Sequence, residues 1–349
     1  MTSNQLPAVD PPAVVDPPAP TVRPGASLLP GEAPDAASPA IHTQDLAKRY
    51  RSTTALAGLT MSVPRAEIFG FLGPNGAGKT TAVKLLVGLT RPTSGEAWVL
   101  GEPIGDRETR RKIGYLPELF RYQDWMSARE VLALHCRLAG LPKAQHGDEI
   151  DHALLTVGLA DRAGDRVGAF SKGMQQRLGL GVALLGRPEL LFLDEPTSAL
   201  DPVGRHDVRE IVRGLKRRGA TVFLNSHLLN EVEQVCDRVA VIDQGRVIAF
   251  GTLDELRGEQ HAVRLRLGGL PGSATELLRR FGTVDTEGDW YVVRGIDSEQ
   301  VPQMVTELVE RGAKIHAVEP ARETLEDRFL QLLGGSPDGH PDHRPSHPA

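Results

Sequence analysis

The sequence has few cysteines, few aromatic residues and no long apolar run. Its two cysteines, Cys136 and Cys236, are far apart and in no metal-binding spacing. This pattern excludes a disulfide scaffold and is typical of a reducing cytoplasm, with both thiols serving as small core residues. No apolar stretch approaches the roughly 20 residues that span a bilayer, and residues 1–20 lack the basic start and apolar core of a secretory signal. We therefore expect a soluble chain whose membrane role, if any, requires a partner.

The sequence also lacks a large excess of charge of either sign. Its 40 basic and 45 acidic residues give a net charge of -5. Such a balance does not call for a nucleic-acid or anionic-membrane partner. We expect no nucleic-acid partner.

Two proline-rich segments contain few large apolar residues. Ten prolines punctuate residues 1–40, and residues 335–349 carry His340, His343 and His347 among further prolines. Such segments bury too little apolar surface to offset the entropy lost on ordering. We expect disordered tails at 1–40, which is Pro/Ala-rich, and at 335–349. The alternatives are a polyproline ligand in the first tail and metal capture by histidines in the second.

One glycine-rich stretch organises the rest of the chain. It follows the apolar run 68–72, precedes the helical pattern 82–89, and reads Gly73-Pro74-Asn75-Gly76-Ala77-Gly78-Lys79-Thr80-Thr81. Gly76 and Gly78 can adopt positive φ and carry no Cβ to block a close approach. The backbone N–H groups of such a turn point at an anion, and the start of the following helix reinforces them. The pattern predicts a phosphate-binding loop in which Lys79 reaches the β- and γ-phosphates and the Thr80 hydroxyl binds magnesium.

Polar side chains stand at the ends of three apolar strands. The run 190–195 ends in Asp194 and Glu195, and the strand 221–224 is soon followed by His227. Ligands bind at this edge in open α/β sheets. Asp194 suits magnesium ligation, Glu195 suits activation of a water, and the imidazole of His227 could bond a γ-phosphate. Glu118 leaves a strand at 112–118 on the side expected for that phosphate.

Three further features are ambiguous when taken alone. Residues 127–160 have helical periodicity, which predicts an inserted helical subdomain. Ser171 and Gly173 lie at the start of a predicted helix. The N-terminus of this helix could be a second anion-binding site, although a plain helix cap would look the same. Tyr50, between strand-like segments at 41–47 and 57–63, could stack on a purine or simply pack.

Together these motifs resemble, in order and spacing, the ATP-binding cassette of the ABC family over roughly residues 41–257. The resemblance implies an α/β fold, the P-loop NTPase ABC cassette, with its helical subdomain at about 119–185. It implies that the loop 73–81 is Walker A, that Asp194 and Glu195 close Walker B, and that residues 198–201 form the D-loop.

The same resemblance implies a set of functional residues. Glu195, His227 and Lys79 would be catalytic, with His227 as the switch histidine. Tyr50 would stack on adenine, and Ser171 and Gly173 would contact ATP with the Walker A loop. Thr80, Asp194 and Glu118 would hold Mg²⁺. ATP and Mg²⁺ are the cofactors expected.

Two departures from the family pattern carry information. The signature usually written Leu-Ser-Gly-Gly-Gln reads Phe-Ser-Lys-Gly-Met at 170–174, and the Q-loop glutamine is Glu118. Both departures resemble the drug and antibiotic exporter type of ABC ATPase. Ser171 and Gly173, which are retained, make the phosphate contact in the family.

The resemblance therefore implies the ATP-hydrolysing subunit of a bacterial exporter. Two copies, expected as a homodimer, would enclose two Mg-ATP and drive a separate transmembrane permease subunit, and the chain would be cytoplasmic and peripheral on the inner face of the cell membrane. The alternatives are a soluble ABC ATPase acting on the ribosome or DNA, an importer ATPase, and a regulator that seldom hydrolyses ATP.

A smaller domain is expected at 261–334. Its pattern of strands and helices predicts a β-α-β-β-α-β order, a small α+β ferredoxin-like fold. Residues 324–330 resemble the tail of exporter cassettes. No cluster in this domain suggests chemistry, so we expect a regulatory or dimer-bracing role.

Overall fold

The computed structural model describes residues 38–198, 200–257, 261–268, 274–322 and 325–333. The tails expected at 1–40 and 335–349 lie outside the described residues, except for 38–40. Ala40, which the sequence analysis assigned to the tail, is buried, and its N–H donates to Val63 O at 2.8 Å.

The strands are, in chain order, β1 (Ile41–Tyr50), β2 (Thr53–Val63), β3 (Ile68–Leu72), β4 (Ser94–Val99), β5 (Glu102–Pro103), β6 (Ile113–Leu116), β7 (Leu190–Asp194), β8 (Thr221–Asn225), β9 (Arg238–Asp243), β10 (Arg246–Thr252), β11 (His261–Gly268), β12 (Thr283–Glu287), β13 (Trp290–Arg294) and β14 (Lys314–Arg322). The helices are α1 (Lys79–Leu86), α2 (Arg107–Arg110), α3 (Ala128–Leu138), α4 (His146–Thr156), α5 (Lys172–Ala183), α6 (Pro202–Arg217), α7 (Leu229–Val235), α8 (Leu253–Arg257), α9 (Ala274–Leu278), α10 (Val301–Glu310) and α11 (Leu325–Leu332).

A six-stranded sheet positions the candidate site. Its strand order is β10-β9-β3-β8-β7-β6, parallel throughout except for the antiparallel pair β9–β10. The strands β3, β7 and β8 are buried at every residue, as expected where both faces of a parallel sheet are covered. Because these strands run the same way, their carboxyl ends meet at one edge.

The side chains of this sheet alternate between two cores. One face carries a phenylalanine cluster that packs with α1 and the first antiparallel sheet: Phe69, Phe71, Phe192 and Phe223. The opposite face belongs to a second core, which also contains residues of α3 to α7; the strand residues in it include Ile68, Leu72, Leu191, Leu193, Val222 and Leu224. Residues of the two cores alternate along each strand because successive side chains of a β-strand point to opposite faces of the sheet.

The first antiparallel sheet has the order β2-β1-β4-β5. Tyr50 was expected between two strands, and it is instead the last residue of β1, because β1 and β2 extend to a tight connection and pair Tyr50 with Thr53. The helix after the phosphate loop also begins earlier than expected, at Lys79, and ends at Leu86.

The helical insertion expected at 127–160 contains α3 and α4. Ser127 caps α3 in a capping box with Glu130, whose carboxylate accepts from Ser127 N at 2.7 Å. Apolar side chains from α3, α4 and α5 meet in one core, among them Leu132, Leu154 and Leu180. No helix among the described residues is sufficiently long and apolar to cross a membrane.

The C-terminal residues form a small antiparallel sheet of order β12-β13-β11-β14. α9 and α10 cover one face of it, and their core includes Val263, Leu265, Val293, Leu278, Met304 and Leu308. This core is separate from the two that flank the six-stranded sheet.

The last helix returns to the larger core. Leu325, at the start of α11, is 1% exposed and belongs to the same core as the helical insertion. Its N–H donates to Glu233 Oε1 at 2.6 Å. Glu233 lies on α7, the helix that follows His227, so the end of the described chain is anchored beside a candidate site residue.

We expect Leu325→Ala to lower the free energy of unfolding by about 2–5 kcal/mol, the usual cost of removing a buried leucine side chain. Chemical denaturation followed by tryptophan fluorescence measures this. Leu138→Ala is the control, since Leu138 is 72% exposed on α3, and a surface substitution changes stability by about 0.5 kcal/mol or less. Equal losses from the two variants would contradict the anchoring of α11.

Candidate nucleotide-binding site

The glycine-rich loop joins β3 to α1 at the carboxyl edge of the six-stranded sheet. Gly76 and Gly78 have φ of 85° and 104°, in the region that favours glycine. A Cβ on Gly73 would lie 2.3 Å from Ile242 O, and one on Gly78 would lie 2.3 Å from Ala55 O. Conformation therefore requires a glycine at 76, packing requires one at 73, and both require one at 78.

The two positive-φ glycines can be separated experimentally. We expect Gly76→Ala to cost about 1–2 kcal/mol of stability from left-handed strain alone, because nothing lies within 4 Å of its Cβ. Gly78→Ala carries the same strain plus overpacking against Ala55, which adds about 1–3 kcal/mol. Urea unfolding of both variants measures the difference. If both variants lost the same stability, the packing of the loop against β2 would be refuted.

Neighbouring elements hold the loop in place. Ala77 O accepts from Gly245 N at 2.9 Å, and Gly245 O accepts from Ala57 N at 3.0 Å. The turn between β9 and β10 is thus wedged between the loop and β2. Asn75 and Gly76 are exposed at the tip, and Pro74, Thr80 and Thr81 are half-buried.

Lys79 places a buried cation at the loop. Its side chain donates to Gly73 O at 2.7 Å and to Pro74 O at 3.1 Å. Burial lowers the pKa of Lys79, and the charges of Glu195, Asp194 and Glu118 partly oppose that shift. The ammonium group therefore lies within electrostatic reach of all three carboxylates that the sequence analysis selected.

Asp194 ends β7 and is almost completely buried. Its Oδ1 accepts a hydrogen bond from the side-chain amide of Asn225, the last residue of β8. Burial raises the pKa of Asp194, the hydrogen bond from Asn225 opposes the shift, and the charges of Glu118 and Glu195 add to it, with Lys79 in opposition. A bound cation would stabilise the ionised carboxylate in such a site, because it replaces the solvation that is lost on burial.

Glu195 follows directly and contacts His227. Glu195 Oε1 lies 2.8 Å from His227 Nδ1, and the imidazole is half exposed. The backbone of Glu195 is left-handed, with φ 53°, and its N–H donates to Asn225 O at 2.9 Å. Glu195 Oε2 is buried without a hydrogen-bond partner within the part of the chain that the structure describes. One carboxylate oxygen is thus held by the histidine and the other is uncommitted.

The D-loop segment 198–201 is tied to this group. Ser198 Oγ donates to Glu195 O at 3.2 Å, and Asp201 caps α6 by accepting from Gly204 N at 2.8 Å. Ala199 lies outside the described residues. Leu200 is close to the start of α5, where a Cβ on Gly173 would lie 3.6 Å from Leu200 Cδ2.

Tyr50, Ser171 and Gly173 make no hydrogen bond or ion pair with the group around Lys79 among the residues described. Tyr50 is exposed, with Lys48 Nζ 4.9 Å from its ring centroid. Ser171 is the N-cap of α5, and its hydroxyl accepts from Met174 N at 3.3 Å. Both surfaces are open to a ligand or to another chain, and their predicted contacts with ATP stay predictions.

Two residues of this site, Asn225 and Tyr115, were not predicted from the sequence. Asn225 contacts both acidic residues, and burial raises the pKa of Tyr115 to about 12, with the charges of Asp194 and Glu118 adding to the shift. A signal for Asn225 was present, since it ends an apolar strand as Asp194 does and adjacent parallel strands bring such ends together.

Comparison with known proteins identifies the chain. Residues 56–198 match the family model for "ABC transporter". The daunorubicin resistance ATP-binding protein DrrA3 of Streptomyces coeruleorubidus is 40% identical over 307 residues, which cover 85% of this chain and 97% of that protein. The chain belongs to the ABC transporter family. It is an ATP-binding protein of this family, an ATPase that couples ATP hydrolysis to transport.

Other relatives agree with this assignment. An uncharacterised ABC transporter ATP-binding protein of Nostoc sp. is 39% identical over 302 residues, covering 84% of this chain and 89% of its own length. The bacitracin transport ATP-binding protein BcrA of Bacillus licheniformis is 35% identical over 308 residues, covering 86% and 100%. The similarity therefore extends along most of the ABC ATPase chain.

A solved structure confirms the cassette fold. An ATP-binding subunit of an ABC transporter superposes with a TM-score of 0.57 at 33% identity, covering 62% of this chain and 91% of that one. The mixed α/β ABC cassette expected from the sequence is thus correct. The structure of cbiO1 of Clostridium perfringens, described as part of the ABC transporter complex cbiONQ, is also similar, with 28% identity and a TM-score of 0.58 over 64% of this chain and 92% of its own.

Proposed function

We propose that this ABC ATPase powers a bacterial exporter. Two copies, as a homodimer, enclose two Mg-ATP and drive a separate transmembrane permease, and the chain is cytoplasmic and lies on the inner face of the membrane. The names of relatives support export, since they include daunorubicin resistance and bacitracin transport proteins. The same names favour a transporter over an ATPase of the ribosome or DNA.

One observation carries the catalytic part of the proposal. Glu195 is buried, with one carboxylate oxygen on His227 and the other uncommitted, at the sheet edge that also carries Lys79. A carboxylate held in this way can position and deprotonate a water for attack on the γ-phosphate. His227 orients the carboxylate, and Lys79 neutralises charge that develops on the phosphate.

The residues at this edge also fit a magnesium ion. Asp194 supplies a buried carboxylate oxygen, with the Thr80 hydroxyl and Glu118 as the other donors proposed. Among the described residues no group of three or more His, Cys, Asp and Glu is arranged to hold a metal. That suits Mg²⁺, which takes one or two carboxylates together with substrate phosphates and several waters. When bound, the ion would neutralise negative charge on the phosphates.

The remaining contacts with ATP come from two directions. The loop 73–81 holds the phosphates and Tyr50 stacks on the adenine, while Ser171 and Gly173 act on the ATP of the other copy. Support for the last point is that Ser171 and Gly173 lie at the start of α5 and, in the described part of the chain, make no hydrogen bond or ion pair with the group around Lys79.

We further propose that residues 261–334 form a ferredoxin-like domain with a regulatory or dimer-bracing role. The observed element order and the sheet order β12-β13-β11-β14 support this fold. The contact of α11 with α7 supports communication with the cassette.

The test of the proposal is affinity purification of tagged Glu195→Gln chain from its own cells, in mild detergent with ATP. We expect a polytopic membrane protein in near-equal amount, and much less of it with the Glu195→Gln, Gly173→Asp double variant. Recovery of ribosomes, DNA-bound factors or no partner would refute the exporter and leave the ATPase assignment intact.

A further inference from the structure

Asn225 lies where the two strands that carry the acidic pair come together. β7 and β8 run parallel, and Asp194 and Asn225 are partners in their register. Both residues are 1% exposed. The preceding residues of β8, 222–224, are apolar. A polar side chain at this buried position requires hydrogen-bond partners.

Asn225 contacts both acidic residues through different atoms. Its side-chain amide donates to Asp194 Oδ1, and its backbone carbonyl accepts from Glu195 N at 2.9 Å. The second bond supports the left-handed backbone of Glu195, a conformation that persists in a non-glycine residue only when its surroundings fix it. A single residue thus orients the Asp194 carboxylate and the backbone of Glu195.

The side-chain carbonyl oxygen of Asn225 takes part in neither of these hydrogen bonds. This Oδ1 is buried and accepts no hydrogen bond among the residues that the structure describes, and the same is true of Glu195 Oε2. Two uncommitted acceptor oxygens on neighbouring strand ends call for hydrogen-bond donors at that edge. The water ligands of Mg²⁺ are such donors, because this ion keeps several waters in protein sites.

We propose that Asn225 is a positioning residue for the magnesium ion of this ATPase. Its amide N–H orients Asp194 as the metal ligand, and its Oδ1 accepts a hydrogen bond from a water in the magnesium shell. The role rests on the proposed binding of Mg-ATP at this edge. It belongs to the outer-shell contacts that tune metal affinity without touching the metal.

The test compares full-length wild-type chain with Asn225→Leu and Asn225→Asp, using a fluorescent ATP analogue. Nucleotide affinity is first measured in EDTA, and Mg²⁺ is then titrated to find the concentration that gives half of its effect on binding. We expect Asn225→Leu to keep its metal-free affinity within about twofold, since the loop 73–81 is untouched, and to raise the Mg²⁺ midpoint about tenfold or more. Asn225→Asp keeps an acceptor oxygen but loses the amide donor to Asp194, so it should raise the midpoint by less than Asn225→Leu does.

Thr221→Val is the matched control. Thr221 begins β8 at the opposite edge of the sheet, is also 1% exposed, and accepts from Ala66 N at 2.9 Å. This variant disturbs the same strand and should leave the Mg²⁺ midpoint unchanged. The proposal is overturned if Asn225→Asp raises the midpoint as much as Asn225→Leu does, or if neither moves it further than Thr221→Val does. If the wild-type chain binds the analogue equally with and without Mg²⁺, the proposed Mg-ATP site itself fails.

Discussion

The Glu195→Gln chain is expected to bind ATP as the wild type does and to hydrolyse it about 10²–10⁴-fold more slowly, the usual contribution of a general base. Glutamine matches glutamate in shape, so the contact with His227 and the left-handed backbone can persist. The amide cannot take a proton from water, and the loss therefore falls on kcat and leaves nucleotide affinity unchanged. Steady-state phosphate release and equilibrium binding of a fluorescent ATP analogue measure the two quantities separately.

Glu149→Gln is the control for this prediction. Glu149 is 9% exposed, against 8% for Glu195, and its carboxylate pairs with Arg187 at 3.0 Å in the helical insertion. Removing this charge should reduce stability and leave kcat within about twofold, since among the described residues its hydrogen bonds are with Gly186 and Arg187 and not with the groups around Lys79. Hydrolysis retained by Glu195→Gln would assign the base to another residue.

The Gly173→Asp substitution is expected to abolish ATP-driven dimerisation and to lower turnover at least about 100-fold. Within its own chain the new side chain is tolerated, because the nearest atom to its Cβ is Leu200 Cδ2 at 3.6 Å. In the proposed dimer the start of α5 faces the γ-phosphate bound by the other copy. A carboxylate there would repel the phosphate. It would also cancel part of the positive potential at the N-terminus of α5, which attracts the phosphate.

Light scattering after gel filtration measures this in the Glu195→Gln background, where ATP persists. We expect the Gly173→Asp double variant to bind ATP and stay monomeric, whereas Glu195→Gln alone becomes a dimer. Gly147→Asp is the control, since Gly147 occupies the equivalent second position of α4 and has no neighbour within 4 Å of its Cβ. A dimer formed by the Gly173→Asp double variant would refute the shared site.

Much of the nucleotide site could be predicted from local patterns. The loop 73–81 is recognisable because positive φ and close backbone approach demand glycines at fixed spacing. Asp194 and His227 could be selected as candidates because they stand at or just after the ends of buried apolar strands, and the edge at which parallel strands end is set by topology. The family departures at Glu118 and at 170–174 also pointed to the exporter type, as the names of the relatives support.

Element boundaries were less predictable. α1 begins at Lys79 and not at Ala82, directly after Gly78, whose left-handed backbone lies outside the helix. β1 extends to Tyr50 because it pairs with β2 through a tight connection, and strand ends depend on such pairing rather than on composition.

The sequence by itself therefore determined which groups are candidates for the chemistry of this ABC ATPase: the phosphate loop, the acidic strand end, and the histidine that follows the next strand. Only the tertiary structure decided how these groups are held. The amide of Asn225 reaches Asp194 across 31 residues of chain, and Leu325 reaches Glu233 across 92. The physical reason is that local residue patterns encode conformation and charge, whereas a partner across the fold depends on strand order and packing, which no short stretch of sequence contains.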